Sequence, residues 1–124
     1  MGNKNWMAWF EIPADDFNRA KTFYETIFNI EIQTFVDTID FKMGIFPHRE
    51  VGGGAICCGE WYKPSADGVL IYLDANPDLS EVLNRVEEAG GKILQAKKLI
   101  TPEHGFRALF IDSEGNRVAL HSLN

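Results

Sequence analysis

Glu11, Cys57, Tyr72 and His121 are polar or reactive side chains set within short apolar stretches, where a small-molecule site would need them. A carboxylate such as Glu11 accepts from a ligand donor or pairs with a cationic one. The imidazole of His121 can serve as acid or base. Cys57 is a nucleophile only as its thiolate. Trp9 and Tyr72 offer aromatic faces on which a planar ligand can stack. Glu11, His121, Trp9 and Cys57 also have competing structural roles. Glu11 could be solvated or paired with Arg19 or Arg117, since most carboxylates are exposed or paired. His121, close to the last residue, could be frayed or merely hydrogen-bonded. Trp9 could fill an interior, and Cys57 could be a small buried apolar residue.

Other reactive-looking features carry less. Cys57 and Cys58 are adjacent, and strand neighbours point to opposite faces, so a disulfide between them would be strained. Two free thiols point to a reducing compartment, and a cytoplasmic location is expected. His48 and His104 lie in loop-like stretches without partners at metal-ligand spacing. Gly52-Gly53-Gly54 lacks the Lys-Ser/Thr and the strand-to-helix setting of a phosphate loop, so it reads as a bend or bulge.

The elements that must position these groups can be read along the chain. Residues 6–12 are rich in aromatics and end at Pro13, which predicts a strand. Asp15 or Asp16 then caps a helix over 16–28, with Phe17, Ala20, Tyr24 and Ile27 at helical spacing and a stop at Asn29. Strands are predicted at 30–36, 39–46 and 55–58. The stretch 59–68 is a connection that carries Pro64, Ser65 and Asp67, with Trp61 and Tyr62 placed to cap a cavity or meet a second chain. The pattern repeats with a strand at 69–74. A second helix follows, capped by Asn76 with Pro77 at its first position and striped by Leu79, Val82, Leu83 and Val86. Gly90-Gly91 ends it. Strands close the chain at 92–100, 106–112 and 117–122, the last two joined by the turn Asp112-Ser113-Glu114-Gly115-Asn116.

The order is therefore βαβββ twice, with the helix ends at Asn29 and Gly90 about sixty residues apart. The expected fold is α+β: two tandem modules, about 5–58 and 69–124, forming curved mixed sheets around a central cavity in one domain, 1–124. Alternation divides the strands into faces. Ala8, Phe10 and Ile12 oppose Met7, Trp9 and Glu11. Val69, Ile71 and Leu73 oppose Leu70, Tyr72 and Asp74. Val118 and Leu120 oppose Arg117, Ala119 and His121. The uniformly apolar faces should pack under the helices, leaving the mixed faces to line the cavity.

Composition excludes several classes. The chain has 124 residues, enough for one ordinary domain. A net charge of −6 with no basic cluster argues against nucleic acid and against polybasic membrane attachment. No apolar run is long enough to span a membrane. The opening Met1-Gly2-Asn3-Lys4-Asn5 lacks the apolar core of a signal peptide, and Gly2 lacks the Ser or Thr that acylation wants at position 6, which is Trp.

The residues Phe10-Glu11-Ile12-Pro13, Asp16 to Ala20 and Phe23-Tyr24-Glu25 resemble the opening of a vicinal-oxygen-chelate domain, of the glyoxalase, bleomycin-resistance and extradiol-dioxygenase superfamily. Tyr72-Leu73-Asp74 and Val86 to Lys92 resemble the second opening. Ala108 to His121 is similar to the closing hairpin. Catalytic members hold one divalent metal between the first and last strands of each module, usually with His, Glu or Gln. The resemblance places those positions at Trp9, Ala55 or Cys57, Leu70 and Ala119. Trp, Leu and Ala bind no metal, and one thiolate is not a site. No metal and no other cofactor is expected.

The resemblance thus implies a metal-independent binder of a small aromatic or amphipathic molecule, with Trp9, Glu11, Cys57, Tyr72 and His121 around it. Homodimers that complete the pocket at the interface are expected. Two alternatives remain. One is a lyase, isomerase or dioxygenase of the same fold that uses Glu11 and His121, either for proton transfer without a metal or, each being two residues from a ligand position and on the same strand face, in a shifted metal site completed by Cys57 or Asp74. The other is a purely structural protein whose cavity is filled by its own side chains.

Overall fold

Asp16, in an extended conformation, accepts the Arg19 N–H through its side chain at 3.1 Å and starts a helix over Phe17–Phe28. Asn29 ends it with φ of 54°, its N–H closing back on Glu25. Around this helix, α1, the chain forms β1 (Phe10–Pro13), β2 (Gln33–Asp37), β3 (Phe41–Ile45) and β4 (Gly54–Gly59). The second half forms β5 (Tyr72–Asp74), α2 (Ser80–Leu83), β6 (Lys92–Thr101), β7 (Gly105–Ile111) and β8 (Arg117–Ser122). The order is βαβββ twice, as the sequence predicts. These coordinates come from a computed structural model that describes residues 3–124, so Gly2 lies outside the described residues. Among those residues, no helix is long and apolar enough to cross a membrane.

The strands make two mixed four-stranded sheets, ordered β1-β4-β3-β2 and β5-β8-β7-β6. In each, the first and last strands of the module pair in parallel and the other pairings are antiparallel. Among the described residues, no strand pairing joins one sheet to the other. A single core does. Ile12 and Ile56 of the first sheet, and Leu73, Ala108, Phe110, Val118 and Leu120 of the second, are buried together with Phe17, Ala20, Phe23, Tyr24 and Ile27 of α1.

Three expectations need correction. Residues 6–9 are not strand: β1 begins at Phe10, which pairs with Gly54, and the segment leading into β4 turns away at Gly52 with φ of 81°. Val69 does not pack under a helix but is 91% exposed, because β5 starts only at Tyr72. Asn76 does not cap α2. Its side chain donates to Asp74 at 2.8 Å and accepts the Leu123 N–H at 2.8 Å. The free N–H groups at the start of α2 go instead to Ser122 Oγ, from Leu79, and to Asp78, from Ser80, both at 2.9 Å. The predicted stripe itself holds, with Leu79, Val82, Leu83 and Val86 all buried.

Glu114 locks the closing turn to the start of α1. It accepts the N–H groups of Asp15 and Asp16 at 3.0 and 2.8 Å and the Arg19 guanidinium at 2.7 and 3.0 Å. Its side chain is 0% exposed while that of Arg19 is 54% exposed. Burial alone would raise its pKa, but hydrogen bonds from Arg19, the Asp16 amide and Ser113 outweigh burial and hold it below the usual range. A carboxyl with a depressed folded value stabilises the fold above its unfolded pKa, and that stability is lost as pH falls through the folded value. We expect Glu114→Gln to cost about 2 kcal/mol near neutrality, where it removes a charged acceptor. The gap from wild type should narrow below about pH 4.5. Urea melts across pH would show it, and a gap independent of pH would contradict it.

Candidate ligand-binding site

Each sheet has one face in the shared core and one face outside it. On the outer face of the first sheet, register places Glu11 beside Ala55 and Pro13 beside Cys57, with Met43 and Ile45 across from them on β3. The Glu11 carboxylate accepts from Tyr62 OH at 2.8 Å and from Trp9 Nε1 at 3.2 Å. Tyr62 also leans on Phe41, with ring centroids 5.7 Å apart. Its hydroxyl is pushed upward in pKa by donating to Glu11. Cys57 is fully buried, and burial, then the Glu11 charge, push its thiol up to about 12. A thiol so disposed is neutral near pH 7 and is not a nucleophile. This half-site is an apolar floor of Ala55, Cys57 and Met43 with one carboxylate and one phenol already joined.

On the outer face of the second sheet, Tyr72 lies beside Ala119 and Asp74 beside His121. Tyr72 OH accepts from Arg107 Nη1 at 2.9 Å, and Arg107 Nε donates to Gln95 at 3.0 Å. The Nε2 of His121 donates to the His104 carbonyl, so its structural hydrogen bond is realised. Leu70 is half-buried at the approach to β5.

The predicted site residues therefore fall into two groups. Trp9, Glu11 and Cys57 belong to the first sheet, Tyr72 and His121 to the second. Glu11 borders a cleft of about 200 Å³ between β1 and residues 63–71, while Tyr72 borders another of about 250 Å³ with Lys98, Leu99, Ile100 and Arg107. Glu11 pairs with neither Arg19 nor Arg117: Arg19 is taken by Glu114, and Arg117 donates to the Gly68 carbonyl at 3.2 Å. Arg117 Nε is buried without a partner beside Glu11's cleft.

The residues do not fit a divalent metal. At the positions that the sequence resemblance implies for the ligands stand Trp9, Ala55 or Cys57, Leu70 and Ala119. The shifted set fares no better within the chain. Glu11 is held by Trp9 and Tyr62, His121 by a carbonyl, Asp74 by Asn76, and Cys57 keeps its proton. Among the described residues, no three His, Cys, Asp or Glu side chains gather around a common point.

Sequence reasoning missed Arg107, Gln95 and Lys98, and gave Tyr62 only the part of a cap or of a contact with a second chain. Arg107 could have been noticed as the charged residue between Phe106 and Ala108 in an otherwise apolar strand. Its partners could not, because they lie on other strands and depend on register.

No curated protein matches the chain. Solved structures do. A glyoxalase/bleomycin resistance protein/dioxygenase family enzyme from Burkholderia phytofirmans superposes with a TM-score of 0.70 at 16% identity, over 94% of this chain and 98% of that one. A glyoxalase I mutant from Zea mays gives 0.71 at 16% identity over 94% of this chain, which spans 46% of the maize chain. An antibiotic-binding protein from a Streptomyces species gives 0.63 at 20% identity over 98% of both chains. These likenesses concern the fold. The model of the Glyoxalase/Bleomycin resistance protein/Dioxygenase superfamily matches residues 6–120, nearly the whole chain, and the protein belongs to that superfamily.

Proposed function

We propose that this protein binds a small aromatic or amphipathic molecule without a metal, in a cavity that two copies of the chain complete together. The observation that carries the reading is the pair of unmatched half-sites on outer sheet faces. Each has an apolar floor and a few placed polar groups, the composition of a ligand pocket. Each also leaves an aromatic anchor partly open, Trp9 at 39% and Tyr72 at 45% exposed. In a homodimer, the first sheet of one copy faces the second sheet of its partner. Trp9, Glu11 and Cys57 would then oppose Tyr72 and His121 around the ligand. The antibiotic-binding neighbour supports small-molecule binding on this fold. The free, unbridged Cys57 and Cys58 fit a reducing compartment such as the cytoplasm.

The test uses a variant carrying Trp6→Phe and Trp61→Phe, so that Trp9 alone reports. Titration with naphthol should quench its fluorescence saturably, at one equivalent per chain. Sedimentation should show a dimer. After dialysis against Mn, Ni, Zn or Fe(II), less than about a tenth of an equivalent should remain bound. Stoichiometric metal lost on changing Glu11 or His121 would overturn the metal-free reading. A monomer with no saturable quench would overturn the binding reading.

A further inference from the structure

The outer face of the second sheet carries two cationic side chains side by side, with His121 next in the row. Register sets Lys98 opposite Arg107, Arg107 opposite His121, and His121 beside Asp74. Residues paired across neighbouring strands share a face, and like charges directly opposite each other are destabilising. Lys98 and Arg107 nevertheless stand opposed, and neither is in an ion pair. Among the described residues, the pairs are Arg19–Glu114, Lys21–Glu25, Lys42–Asp37 and Lys97–Asp78. The contrast with Lys97 is direct. It points the other way, sits over the Phe106 ring and meets Asp78 at 2.9 Å.

Arg107 is held by neutral groups only, Gln95 through Nε and the Tyr72 hydroxyl through Nη1. Two such bonds fix the guanidinium plane without cancelling its charge, and they leave Nη2 with no partner among the described residues. Asp74, the acid at the end of the row, keeps its charge while accepting from the backbone and side-chain amides of Asn76 at 2.9 and 2.8 Å, but His121 stands between it and Arg107, and among the described residues it makes no ion pair with Arg107 or Lys98. The cleft beside Arg107 holds about 250 Å³ and is bordered by Tyr72, Lys98, Leu99, Ile100 and Arg107, with no acidic residue. In a chain of net charge −6, this is an uncompensated cationic seat beside apolar walls.

We propose that this cleft is the acid-recognition end of the ligand pocket, and that the ligand is an organic carboxylate on an aromatic or branched apolar body. The carboxylate sits between Arg107 Nη2 and Lys98 Nζ, and the apolar body lies against Leu99, Ile100 and the Tyr72 ring. A pre-oriented guanidinium suits a carboxylate because its N–H groups are already aimed and their ordering cost is already met. This rests on the small-molecule reading above and narrows it to a charge class.

Calorimetric titrations of the full chain with naphthoate, naphthalenemethanol, naphthyl phosphate and inorganic phosphate test it. Naphthoate should bind about tenfold or more tighter than the neutral alcohol. Arg107→Gln should weaken naphthoate about tenfold more than it weakens the alcohol, and Lys98→Gln should do so about threefold. Arg107→Lys should restore part of the loss. Lys98 is exposed, so its variant keeps the test usable even if Arg107→Gln disturbs the sheet. Equal binding of naphthoate and the alcohol would overturn the carboxylate seat and leave small-molecule binding standing. Inorganic phosphate binding as tightly as naphthyl phosphate, and tighter than naphthoate, would overturn it in favour of a phosphate seat. If none of the four bound a melt-verified protein, the small-molecule reading would fall with it.

Discussion

Replacing Asp112 with alanine is expected to cost about 4 kcal/mol of folding stability, a large part of what a domain this size possesses. The carboxylate is 3% exposed and stands at the end of β7. It accepts the Tyr24 hydroxyl at 2.6 Å, the Glu114 and Asn116 N–H groups at 2.8 and 2.9 Å, and the Asn116 side-chain amide at 3.0 Å. Each buried donor left unmet costs about 1–3 kcal/mol, and the four act as a network, so their costs do not simply add. Among the described residues, the Tyr24 hydroxyl has no other acceptor. Burial first, then the Asp112 charge, hold its pKa well above the usual value, so it remains a donor. The loss also spreads. Asn116 donates to the Pro13 carbonyl at 2.8 Å and accepts the Ser65 N–H at 3.1 Å, tying β1 and the connection to the same turn. Tyr24→Phe removes one donor and no acceptor, so it should cost only about 1 kcal/mol. Urea unfolding of both variants checks the pair. A cost for Asp112→Ala no greater than that for Tyr24→Phe would show that the network contributes little.

The second large effect concerns Cys57. With its thiol pushed up to about 12, it should react with iodoacetamide at pH 8 about a thousandfold more slowly than a free cysteine, whose pKa is about 8.5. The measurement uses Cys58→Ser, so that mass spectrometry follows one thiol. Burial is the larger cause and the Glu11 charge the next, so Glu11→Gln should speed alkylation while leaving it well below the free rate. The shift is also a stability statement. A thiol raised above its unfolded value stabilises the fold fully below about pH 8.5. That contribution is lost as pH climbs towards about 12. Alkylation at the free rate in the native protein would mean that Cys57 is open and ionised, and would return a nucleophilic role to consideration.

These expectations rest on features of unequal visibility in the sequence. Helix α1 could be read with both ends, because Asp16 and Asn29 act on backbone groups within a few residues of themselves. The closing turn was readable for the same reason, with Gly115 at φ of 100° where the hairpin requires it. The start of α2 was misread because Asn76 is drawn away by Asp74 and by Leu123, which lies 47 residues on. Residues 6–9 have the composition of a strand, but a strand needs a partner, and β4 offers none before Gly54. Of the candidate site, Glu11 and Tyr72 could be placed on the correct faces by alternation alone. Their partners Tyr62 and Arg107 could not, being 51 and 35 residues away.

Local chemistry in the sequence therefore determined the βαβββ repeat, the ends of α1 and the closing hairpin. Tertiary structure decided the rest. It set Glu114 and Asp112 as the ties between the halves and put Lys98 against Arg107. It also separated the polar groups of the two modules onto two outer faces. The physical reason is range: caps, turns and alternation act over a few residues, whereas register and the packing of α1 against both sheets depend on segments far apart in the chain.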